Sequence, residues 1–441
     1  MEKKVKLLLV RPKFTSIIAN LEPLGLEYIA GLCKDLNVEC EIFDEFQYPW
    51  ANRFNRLVKK IKKGGYDYIG FNSNANTVDY ILETSAKLKK RLNDIHIWVG
   101  GPEAEMNYKD FCTDAVDMVY YDNGLQTMKN LILGGFTEEV MDAQNGICFK
   151  KDGNWVYKEK GPAVCDFICK PDRTAFYQGL KRNFIFLKGS FALSKASFSC
   201  PFNCSFCYCT KMNSSTYTER DIIKVVDEIE EIDHPRIWFV DDTFFVDKER
   251  VRLFCEEVIR RGIKKHFMAY SRADFLAENP DILPLAYEAG FRDMMVGLEA
   301  ISDEQLKEYN KQTSKNENIQ AIKNLHDNNL VCNALFVVSH TSTKQDFKNL
   351  IKFIKDNNLL WVVFGIFTPY KGTDAYDEYK DRLINFKSKR LDGLHITIKP
   401  EHMSSFMFMF RVYWLHVLTY PKVMCRALFK TAYDTKRTGW F

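Results

Sequence analysis

The chain has 441 residues, 46% of them hydrophobic and 27% charged, with a formal net charge of +4. This length predicts two or three domains of ordinary soluble composition, and so small a charge gives no indication of a nucleic acid partner. The 13 cysteines are scattered without a disulfide framework, which indicates a reducing cytoplasm and suits an anaerobe. Because Met1 is followed almost at once by a short strand-like run, we expect no signal peptide.

Residues 1–135 alternate short apolar runs with helical stretches and are predicted to form the first domain. Its predicted strands are Lys4–Val10, Glu39–Phe43, Tyr66–Phe71, His96–Val99 and Met118–Tyr121. Such alternation gives a parallel, Rossmann-like sheet that binds ligands at the carboxyl ends of its strands. Ser73 and the turn with Gly100 and Gly101 fall at that edge, where glycines let a ligand approach the backbone closely.

Two further regions follow. Residues 136–190 are predicted to be a linker with a β-hairpin, because the Asp152-Gly153 turn lies between apolar flanks. Residues 191–378 are predicted to hold six strand–helix units. Their strands are Phe191–Ser199, Arg236–Asp241, His266–Ser271, Asp293–Glu299, Asn333–Ser339 and Trp361–Phe367. In parallel barrels functional residues gather at the carboxyl ends of the strands.

The first of these strands ends in a loop with Cys200, Cys204 and Cys207 at the spacing C-x3-C-x2-C. Chance gives such a triplet about 0.01 times per chain of this composition. Three thiolates can hold three irons of a [4Fe–4S] cluster and leave the fourth iron open. A structural zinc site would need a fourth ligand, and no Cys or His pair lies nearby to supply it. Cys209 is interpreted as a spare thiol.

The triplet, with aromatic Phe206 before its last cysteine, resembles the radical S-adenosylmethionine (SAM) superfamily. There SAM chelates the open iron, and six strand–helix units fit that superfamily's partial (β/α)6 barrel. The first domain is similar to the flavodoxin-like cobalamin-binding domain of one large radical SAM class, which includes methyltransferases and magnesium-protoporphyrin cyclase-like enzymes. The matching stretches are Glu22–Tyr28, Tyr66–Phe71, Ile97–Pro102, Tyr120–Gly124, Phe239–Phe244 and Val296–Asp303.

The resemblance implies functional roles for the residues at the strand ends. The three cysteines would bind the cluster. Asp241 or Asp242 would receive the SAM ammonium and Arg272 its carboxylate, each in competition with a plain salt bridge at the barrel rim. The cofactor-binding residues that the resemblance implies are Phe206, Asp241, Asp242, Ser271, Arg272 and Glu299 for SAM and Ser73, Gly100 and Gly101 for cobalamin. Phe206 would pack near the adenine, and Glu299 would accept ribose hydroxyls.

Three stretches depart from the family pattern. Many cobalamin proteins supply a histidine to cobalt from Asp-x-His-x-x-Gly, but here residues 44–50 contain none. The family's Gly-Glu-Gly-Glu stretch is replaced by Asp122–Gly124, and its Gly-x-Pro-x-Glu-Thr by Ser339–Thr343. His340, the only histidine at a strand end, is either a substrate contact or an ordinary surface histidine.

Residues 379–441 form a C-terminal extension, predicted to be helical, that is rich in methionine and aromatic residues. From Met403 onward it carries six Lys or Arg and one acid, Asp434. Such a helix either packs onto the open side of the barrel, or lies on a membrane surface or over an apolar substrate. Arg411 and His416 interrupt its longest apolar run, so we expect no transmembrane span.

By this resemblance the protein is an enzyme that reductively cleaves SAM to a 5′-deoxyadenosyl radical, using an electron donor such as flavodoxin or ferredoxin. The most common activity in the class is cobalamin-dependent methylation of an unactivated carbon or phosphorus, here on a small-molecule or lipid-like substrate. Radical ring formation, oxidation or rearrangement without methyl transfer is one alternative, and a non-catalytic cobalamin or SAM sensor is another. The motifs leave the substrate and the oligomeric state open, because variable loops contact substrates in barrels.

Overall fold

The computed structural model describes residues 5–14, 19–49, 51–92, 94–122, 124–185, 188–384 and 387–434, with side chains as far as Thr419 in the last segment. The strands are β1 Lys6–Arg11, β2 Ala19–Asn20, β3 Glu39–Asp44, β4 Tyr68–Asn72, β5 His96–Gly100, β6 Met118–Tyr120, β7 Ile147–Lys151, β8 Asn154–Tyr157, β9 Phe184–Ile185, β10 Ala192–Ser194, β11 Ser197–Phe198, β12 Thr218–Glu219, β13 Arg236–Phe239, β14 His266–Arg272, β15 Phe291–Glu299, β16 Val331–Val338 and β17 Trp361–Ile366. The α-helices are α1 Leu24–Asp35, α2 Arg53–Gly64, α3 Val78–Arg91, α4 Pro102–Asn107, α5 Leu125–Leu133, α6 Glu138–Asp142, α7 Thr174–Gly179, α8 Ile222–Glu231, α9 Lys248–Arg260, α10 Ala273–Glu278, α11 Leu283–Ala289, α12 Asp303–Glu308, α13 Lys315–Asp327, α14 Lys344–Asp356, α15 Asp374–Tyr379 and α16 Ser405–Asp434.

The N-terminal sheet has the strand order β3-β1-β4-β5-β6-β7-β8, and its first five strands are parallel. Leu7, Leu8, Leu9 and Val10 of β1 are fully buried, because helices cover both faces of a parallel sheet. Taken in chain order, the parallel strands follow the flavodoxin-like order 2-1-3-4-5. The order in which strands are added to the sheet therefore reverses between β1 and β4. A ligand site is expected at this switch point, at the carboxyl ends of the two strands.

The predicted hairpin is present as β7 and β8, which are antiparallel to each other and continue the N-terminal sheet beyond β6. Asp152 and Gly153 in its turn have positive φ values of 48° and 80°. Such values suit a tight hairpin turn that follows the twist of the strands. The division of the chain at residues 135, 190 and 378 stays a prediction.

The second large sheet has six parallel strands in the order β10-β13-β14-β15-β16-β17. Its strands follow one another along the chain with at least one helix between each successive pair, as in a barrel that remains open between β10 and β17. The predicted α/β fold class, a flavodoxin-like domain followed by a partial (β/α)6 barrel, is confirmed.

The two sheets share one apolar core. Leu9 and Trp98 of the N-terminal sheet belong to the same buried cluster as Leu193, Trp238 and Met268 of the barrel strands. Burial of this kind is the main stabilising term in folding. It packs the two sheets against each other and brings their carboxyl edges close together.

A buried ionic network reinforces this junction. Glu22 accepts hydrogen bonds from the Arg173 guanidinium and from the Leu193 backbone N–H at the start of the barrel. Arg173 also pairs with Glu228 at 3.3 Å, and Tyr28 donates to Glu228 at 2.9 Å. Breaking one buried partner of such a network costs about 3–5 kcal/mol because the other charge is left uncompensated. The Glu22–Tyr28 stretch thus holds the first domain to the barrel.

Helix α16 lies beside β17, at the edge of the open barrel. Phe408, Val412 and Leu415 are buried there, with Phe408 packed edge-on against Phe347 of α14 at 5.9 Å. In the part of the chain that the structure describes, every helix is too short or too polar to cross a bilayer.

Candidate active site

The cysteine loop follows β11 and is fixed by backbone hydrogen bonds from both sides. The N–H of Ser205 donates to the carbonyl of Tyr309 at 3.0 Å, and the N–H of Ala375 donates to the carbonyl of Ser205 at 2.9 Å. Within the loop the N–H of Cys207 donates to the carbonyl of Cys204 at 3.1 Å. The barrel elements around α12 and α15 therefore shape this loop.

The donor set of this loop fits an iron–sulfur cluster better than a single metal ion. Among the described residues, no three His, Cys, Asp or Glu side chains converge as ligands of one ion. A zinc site would require such convergence, because its ligands lie about 2.0–2.3 Å from one centre. In a cluster each thiolate binds a different iron, so Cys200, Cys204 and Cys207 need only face a common space.

Charge around the three thiols has opposing effects on their protonation. Burial raises the pKa of Cys200 to about 11 and also raises that of Cys204. Lys311 and Arg272 act against this rise at Cys204 by favouring its thiolate. A hydrogen bond from Cys209 lowers the pKa of Cys207. The two cations therefore stand where thiolate ligands need positive charge.

Asp241 and Asp242 differ in their surroundings although they are adjacent after β13. Asp241 is buried, and it accepts hydrogen bonds from the N–H of Ala196 at 2.9 Å and from the Ser197 hydroxyl at 2.6 Å. It therefore holds the strand that leads into the cysteine loop. Asp242 lies on the side of the thiols and accepts a hydrogen bond from Cys209. Of the two carboxylates, Asp242 is thus the one whose charge acts on the thiols of Cys200 and Cys207.

Arg272, at the end of β14, is already engaged by protein groups. Its guanidinium forms a two-pronged pair with Asp274, donates to the carbonyl of Lys311 at 2.6 Å and lies over the ring of Phe202. It also lies 3.9 Å from the sulfur of Cys204. Arg272 therefore positions the cysteine loop. Ser271 beside it is buried and donates to the Arg272 carbonyl.

Glu299 ends β15 in an unusual backbone conformation. Its φ of 57° lies in the left-handed region, which costs a non-glycine residue about 1–3 kcal/mol and clusters at functional sites. The carboxylate accepts a hydrogen bond from the Lys311 ammonium at 3.0 Å. Lys311 is buried, and its pairing with Glu299 helps to raise its pKa against desolvation. The barrel edge therefore carries a buried, charged Lys–Glu pair next to the cysteine loop.

An aromatic cluster flanks the other side of the loop. Phe206 meets Tyr309 edge-on at 5.3 Å, and Tyr309 stacks on Phe367 at 5.9 Å. His340 lies beside Phe367 and Tyr379 and is buried, and within the described chain neither ring nitrogen has a hydrogen-bond partner. Burial lowers its pKa. His340 is therefore not a surface histidine. Its Nε2 lies 3.7 Å from the Glu401 carboxylate, and its Nδ1 has no hydrogen-bond partner among the described residues.

The predicted cobalamin residues lie on two adjacent loops, after β4 and β5, that contact each other at the carboxyl edge of the N-terminal sheet. The hydroxyl of Ser73 donates to the carbonyl of Gly100 at 2.7 Å and accepts from the N–H of Ala104 at 2.9 Å. Gly101 has a φ of 99°, and a Cβ there would lie 2.8 Å from the carbonyl oxygen of Ser73. A side chain at residue 101 would therefore push β4 and β5 apart.

The Gly100–Glu103 turn and the cysteine loop border the same cleft, which has a cavity volume of about 180 Å³. Its lining residues are Phe14, Asn74, Ala75, Asn76, Pro102, Glu103, Met106, Tyr208, Tyr370, Lys371 and Leu391. Pro102 and Glu103 follow the two glycines directly, and Tyr208 directly follows Cys207. Burial raises the pKa of Glu103 to about 7. The cleft thus joins the two edges that the sequence predicts to bind cofactors.

Two family models match the chain. The model of the radical SAM superfamily matches residues 195–354, and the model of the B12-binding domain matches residues 14–132. The chain belongs to the radical SAM enzymes that carry a B12-binding domain. The predicted resemblance is confirmed, and with it the use of a [4Fe–4S] cluster, SAM and cobalamin.

Curated relatives and solved structures agree with this assignment. This B12-binding radical SAM enzyme is 26% identical to the anaerobic magnesium-protoporphyrin IX monomethyl ester cyclase of Rubrivivax gelatinosus, over 90% of this chain and 74% of the relative. It is 22% identical to the hopanoid C-3 methylase of Methylococcus capsulatus, over 88% of this chain and 75% of that relative. The fold is similar to that of the radical SAM methyltransferase TsrM from Kitasatospora setae, with a TM-score of 0.68 and 14% identity over 86% of this chain and 78% of that one. The fold is also similar to that of OxsB, a cobalamin-dependent SAM radical enzyme, with a TM-score of 0.66 and 18% identity over 88% of this chain and 57% of that one.

The loop that carries the cobalt-binding histidine in many B12 proteins is built differently in this radical SAM enzyme. Asp44 accepts from the Arg11 guanidinium and from the N–H of Phe46, and Arg11 lies over the Phe46 ring at 4.4 Å. Phe46 stands where the motif would place histidine. Phe14, which lines the cleft, packs edge-on against Phe46 at 5.1 Å. This loop therefore offers an apolar wall and no nitrogen ligand.

Sequence reasoning missed several residues of the site. Lys311 lies in the turn before α13, away from any strand end, and only its contact with Glu299 reveals it. Tyr208 was adjacent to the cysteine motif, and Tyr370 and Lys371 followed the sixth predicted strand, but none carries a pattern that assigns a role. Their place in the cleft depends on how the two sheets meet. The roles of all these residues and of the predicted site residues stay predictions.

Proposed function

We propose that this enzyme is a cobalamin-dependent methyltransferase that acts on an unactivated carbon or phosphorus of a small-molecule or lipid-like substrate. The observation that carries the proposal is the cleft shared by the cysteine loop and the Gly100–Glu103 turn. Methyl transfer to a substrate radical requires the methyl carrier and the site of radical formation to face one space, because reacting atoms must approach within about 3–3.5 Å.

The residues of the barrel edge divide the work of binding. Cys200, Cys204 and Cys207 would hold the cluster. Asp242 would receive the SAM ammonium, because Asp241 is already held by Ala196 and Ser197. Lys311 would receive the SAM carboxylate, because its ammonium has three donors and Glu299 uses one of them, whereas Asp274 and the Lys311 carbonyl engage the Arg272 guanidinium. When bound, the cluster supplies the electron that cleaves SAM, and cobalamin supplies the carrier for the methyl group.

Two predicted SAM contacts retain the roles inferred from the sequence. Glu299 would accept the ribose hydroxyls and Phe206 would pack near the adenine. His340, whose ring nitrogens make no hydrogen bond within the described chain and whose Nε2 lies 3.7 Å from the Glu401 carboxylate, is a further polar contact for the adenine or the substrate. On the N-terminal sheet, Ser73, Gly100 and Gly101 would hold cobalamin through their backbone.

The walls of the cleft favour an apolar substrate. Five of its eleven lining residues are large and apolar or aromatic, namely Phe14, Met106, Tyr208, Tyr370 and Leu391. Binding sites for small molecules are lined mainly by apolar and aromatic side chains, with a few polar groups that fix orientation. Excluding water here would also protect a reactive radical.

The proposal is tested by product analysis under strictly anaerobic conditions. The protein would be reconstituted with iron and sulfide, loaded with hydroxocobalamin, desalted, and assayed for about four irons and about one cobalt per chain. It would then be reduced and given SAM with a deuterated methyl group, and products would be quantified by mass spectrometry. We expect both S-adenosylhomocysteine and 5′-deoxyadenosine.

Cys204→Ala should lose the 5′-deoxyadenosine, whereas the matched control Cys165→Ser, at an exposed thiol outside the cleft, should retain both products. Release of 5′-deoxyadenosine without S-adenosylhomocysteine from cobalt-loaded protein would contradict methyl transfer. It would favour radical ring formation, the second candidate, which the 26% identity to a cyclase supports. Cluster without cobalt would point to radical chemistry that does not use cobalamin.

A further inference from the structure

Helix α16 has two apolar stripes on different faces, and only one of them is covered by the barrel. Phe408, Val412 and Leu415 form the first stripe and are almost completely buried. In an α-helix, residues three and four apart share a face, so these positions point the same way. They complete the layer outside β17 and need no further partner.

The second stripe is exposed. Phe406, Phe410, Tyr413, Trp414 and Val417 repeat at intervals of three and four residues on the opposite side of the helix. Phe406 is 78% exposed and Trp414 is 48% exposed, and the rings of Phe410 and Trp414 stack on each other at 6.2 Å. Monomeric soluble proteins rarely expose a contiguous patch of this kind, and such patches mark protein or membrane contacts.

The sequence of the same helix indicates which partner fits. Helix α16 carries four Lys or Arg residues, Arg411, Lys422, Arg426 and Lys430, and one acid, Asp434, at its last position. A second copy of the chain would present the same basic helix, with no acidic residue on the stripe to pair with it. An anionic lipid surface supplies both an apolar phase for the rings and negative charge for the basic residues.

The types of residue on the stripe agree with this. Tyr and Trp are enriched where membranes meet water, because their rings have an apolar body and a polar tip. The helix cannot cross a bilayer, since Arg411 and His416 fall within its apolar run. It therefore suits a position in the plane of the surface.

We propose that α16 docks the enzyme on anionic membranes through the stripe of Phe406, Phe410, Tyr413, Trp414 and Val417. None of these five residues lines the cleft. This inference is therefore independent of the proposed function, and either can fail without the other.

Flotation with lipid vesicles tests the docking. The probes are vesicles of equal parts phosphatidylglycerol and phosphatidylcholine, and vesicles of phosphatidylcholine alone. We expect the full-length protein to float with the anionic vesicles, and raising the salt concentration to weaken this binding by screening. The double variant Phe410→Ser, Trp414→Ser should reduce the bound fraction about tenfold or more, because it removes two rings from the apolar phase.

The matched control is Leu253→Ser on α9, a side chain that is 47% exposed on another helix, and it should bind vesicles as the parent does. Circular dichroism would check that each variant is folded. Three results would overturn the proposal: no flotation with anionic vesicles, equal binding to both vesicle types without a salt effect, or unchanged binding by the double variant. A dimer in analytical ultracentrifugation that the double variant abolishes, without vesicle binding, would assign the stripe to a second copy.

Discussion

The two sheet edges that meet at the cleft are stabilised by different kinds of contact. At the barrel edge, charged side chains at or just after the strand ends are held by polar side chains: Arg272 by Asp274, Glu299 by Lys311, and Asp241 by Ser197. At the edge of the N-terminal sheet, Ser73 and Gly101 lie on adjacent loops whose shape depends on contacts with the backbone. At the barrel edge few substitutions are tolerated because they remove a charged or polar partner. At the N-terminal edge few are tolerated because they introduce a steric clash. The predictions below test this difference.

The largest effect is expected at the cluster. Cys204→Ala removes one of the three thiolates, and because a [4Fe–4S] cluster already lacks a fourth cysteine here, we expect loss of most bound iron and SAM cleavage at background level. Iron and sulfide analysis with the visible spectrum measures the first, and 5′-deoxyadenosine the second. Cys165→Ser is the control. Retention of a full cluster by Cys204→Ala would remove the loop from the proposed site.

The next effect concerns the buried Lys–Glu pair. Lys311→Met keeps the length of the side chain but removes its charge, and a charge-assisted hydrogen bond contributes about 1.5–3 kcal/mol, so SAM affinity should fall about ten- to a hundredfold. Equilibrium dialysis of labelled SAM against the reconstituted protein measures this. Lys307→Met, at an exposed position on α12, should bind SAM as the parent does. Equal affinities in all three proteins would assign Lys311 a structural role.

At the N-terminal edge the prediction is steric. Gly101→Ala combines a positive φ with a clash against Ser73, so it should lower the free energy of unfolding by about 2–4 kcal/mol. Gly153→Ala in the β7–β8 turn also has a positive φ, but a Cβ there meets nothing within 4 Å, so it should cost only about 1 kcal/mol. Urea unfolding compares the two. Equal losses would mean that the contact with Ser73 does not constrain the turn.

The smallest effect is a pH dependence from Glu103. Burial raises its pKa to about 7 from the ordinary value of 4.5, so the folded protein keeps this proton well above the pH at which the unfolded chain loses it. Any stability from that proton is therefore greatest below pH 4.5 and declines as the pH rises to 7. A ligand that fills the cleft excludes more water and raises the pKa further, so ligand binding takes up a proton.

Cyanocobalamin affinity should therefore weaken as the pH rises above 7, by up to about tenfold per pH unit. Glu103→Gln should make the affinity independent of pH, whereas Glu288→Gln, at an exposed position on α11, should leave the dependence unchanged. Spectroscopic titration at several pH values measures this. A flat profile for the parent protein would show that the ligand leaves Glu103 in its present environment.

The sequence by itself determined the features that depend on local pattern. Apolar runs separated by helical stretches predicted the parallel strands of both sheets, because burial on both faces requires near-continuous hydrophobic strands. The cysteine spacing predicted the cluster loop, because its three donors must lie within one short segment. The Asp152-Gly153 turn predicted its hairpin, because both residues adopt a positive φ readily.

Only the tertiary structure decided which charged residues at the barrel edge remain for ligands. Asp241 and Asp242 are neighbours of the same type, and Arg272 and Lys311 are both cations, so the pattern cannot rank them. The ranking depends on partners that the fold brings together, such as Ser197 for Asp241 and the Lys311 carbonyl for Arg272, which are 44 and 39 positions apart in sequence. The shared cleft and the uncovered face of α16 were decided in the same way, because side-chain pairing and burial depend on non-local contacts.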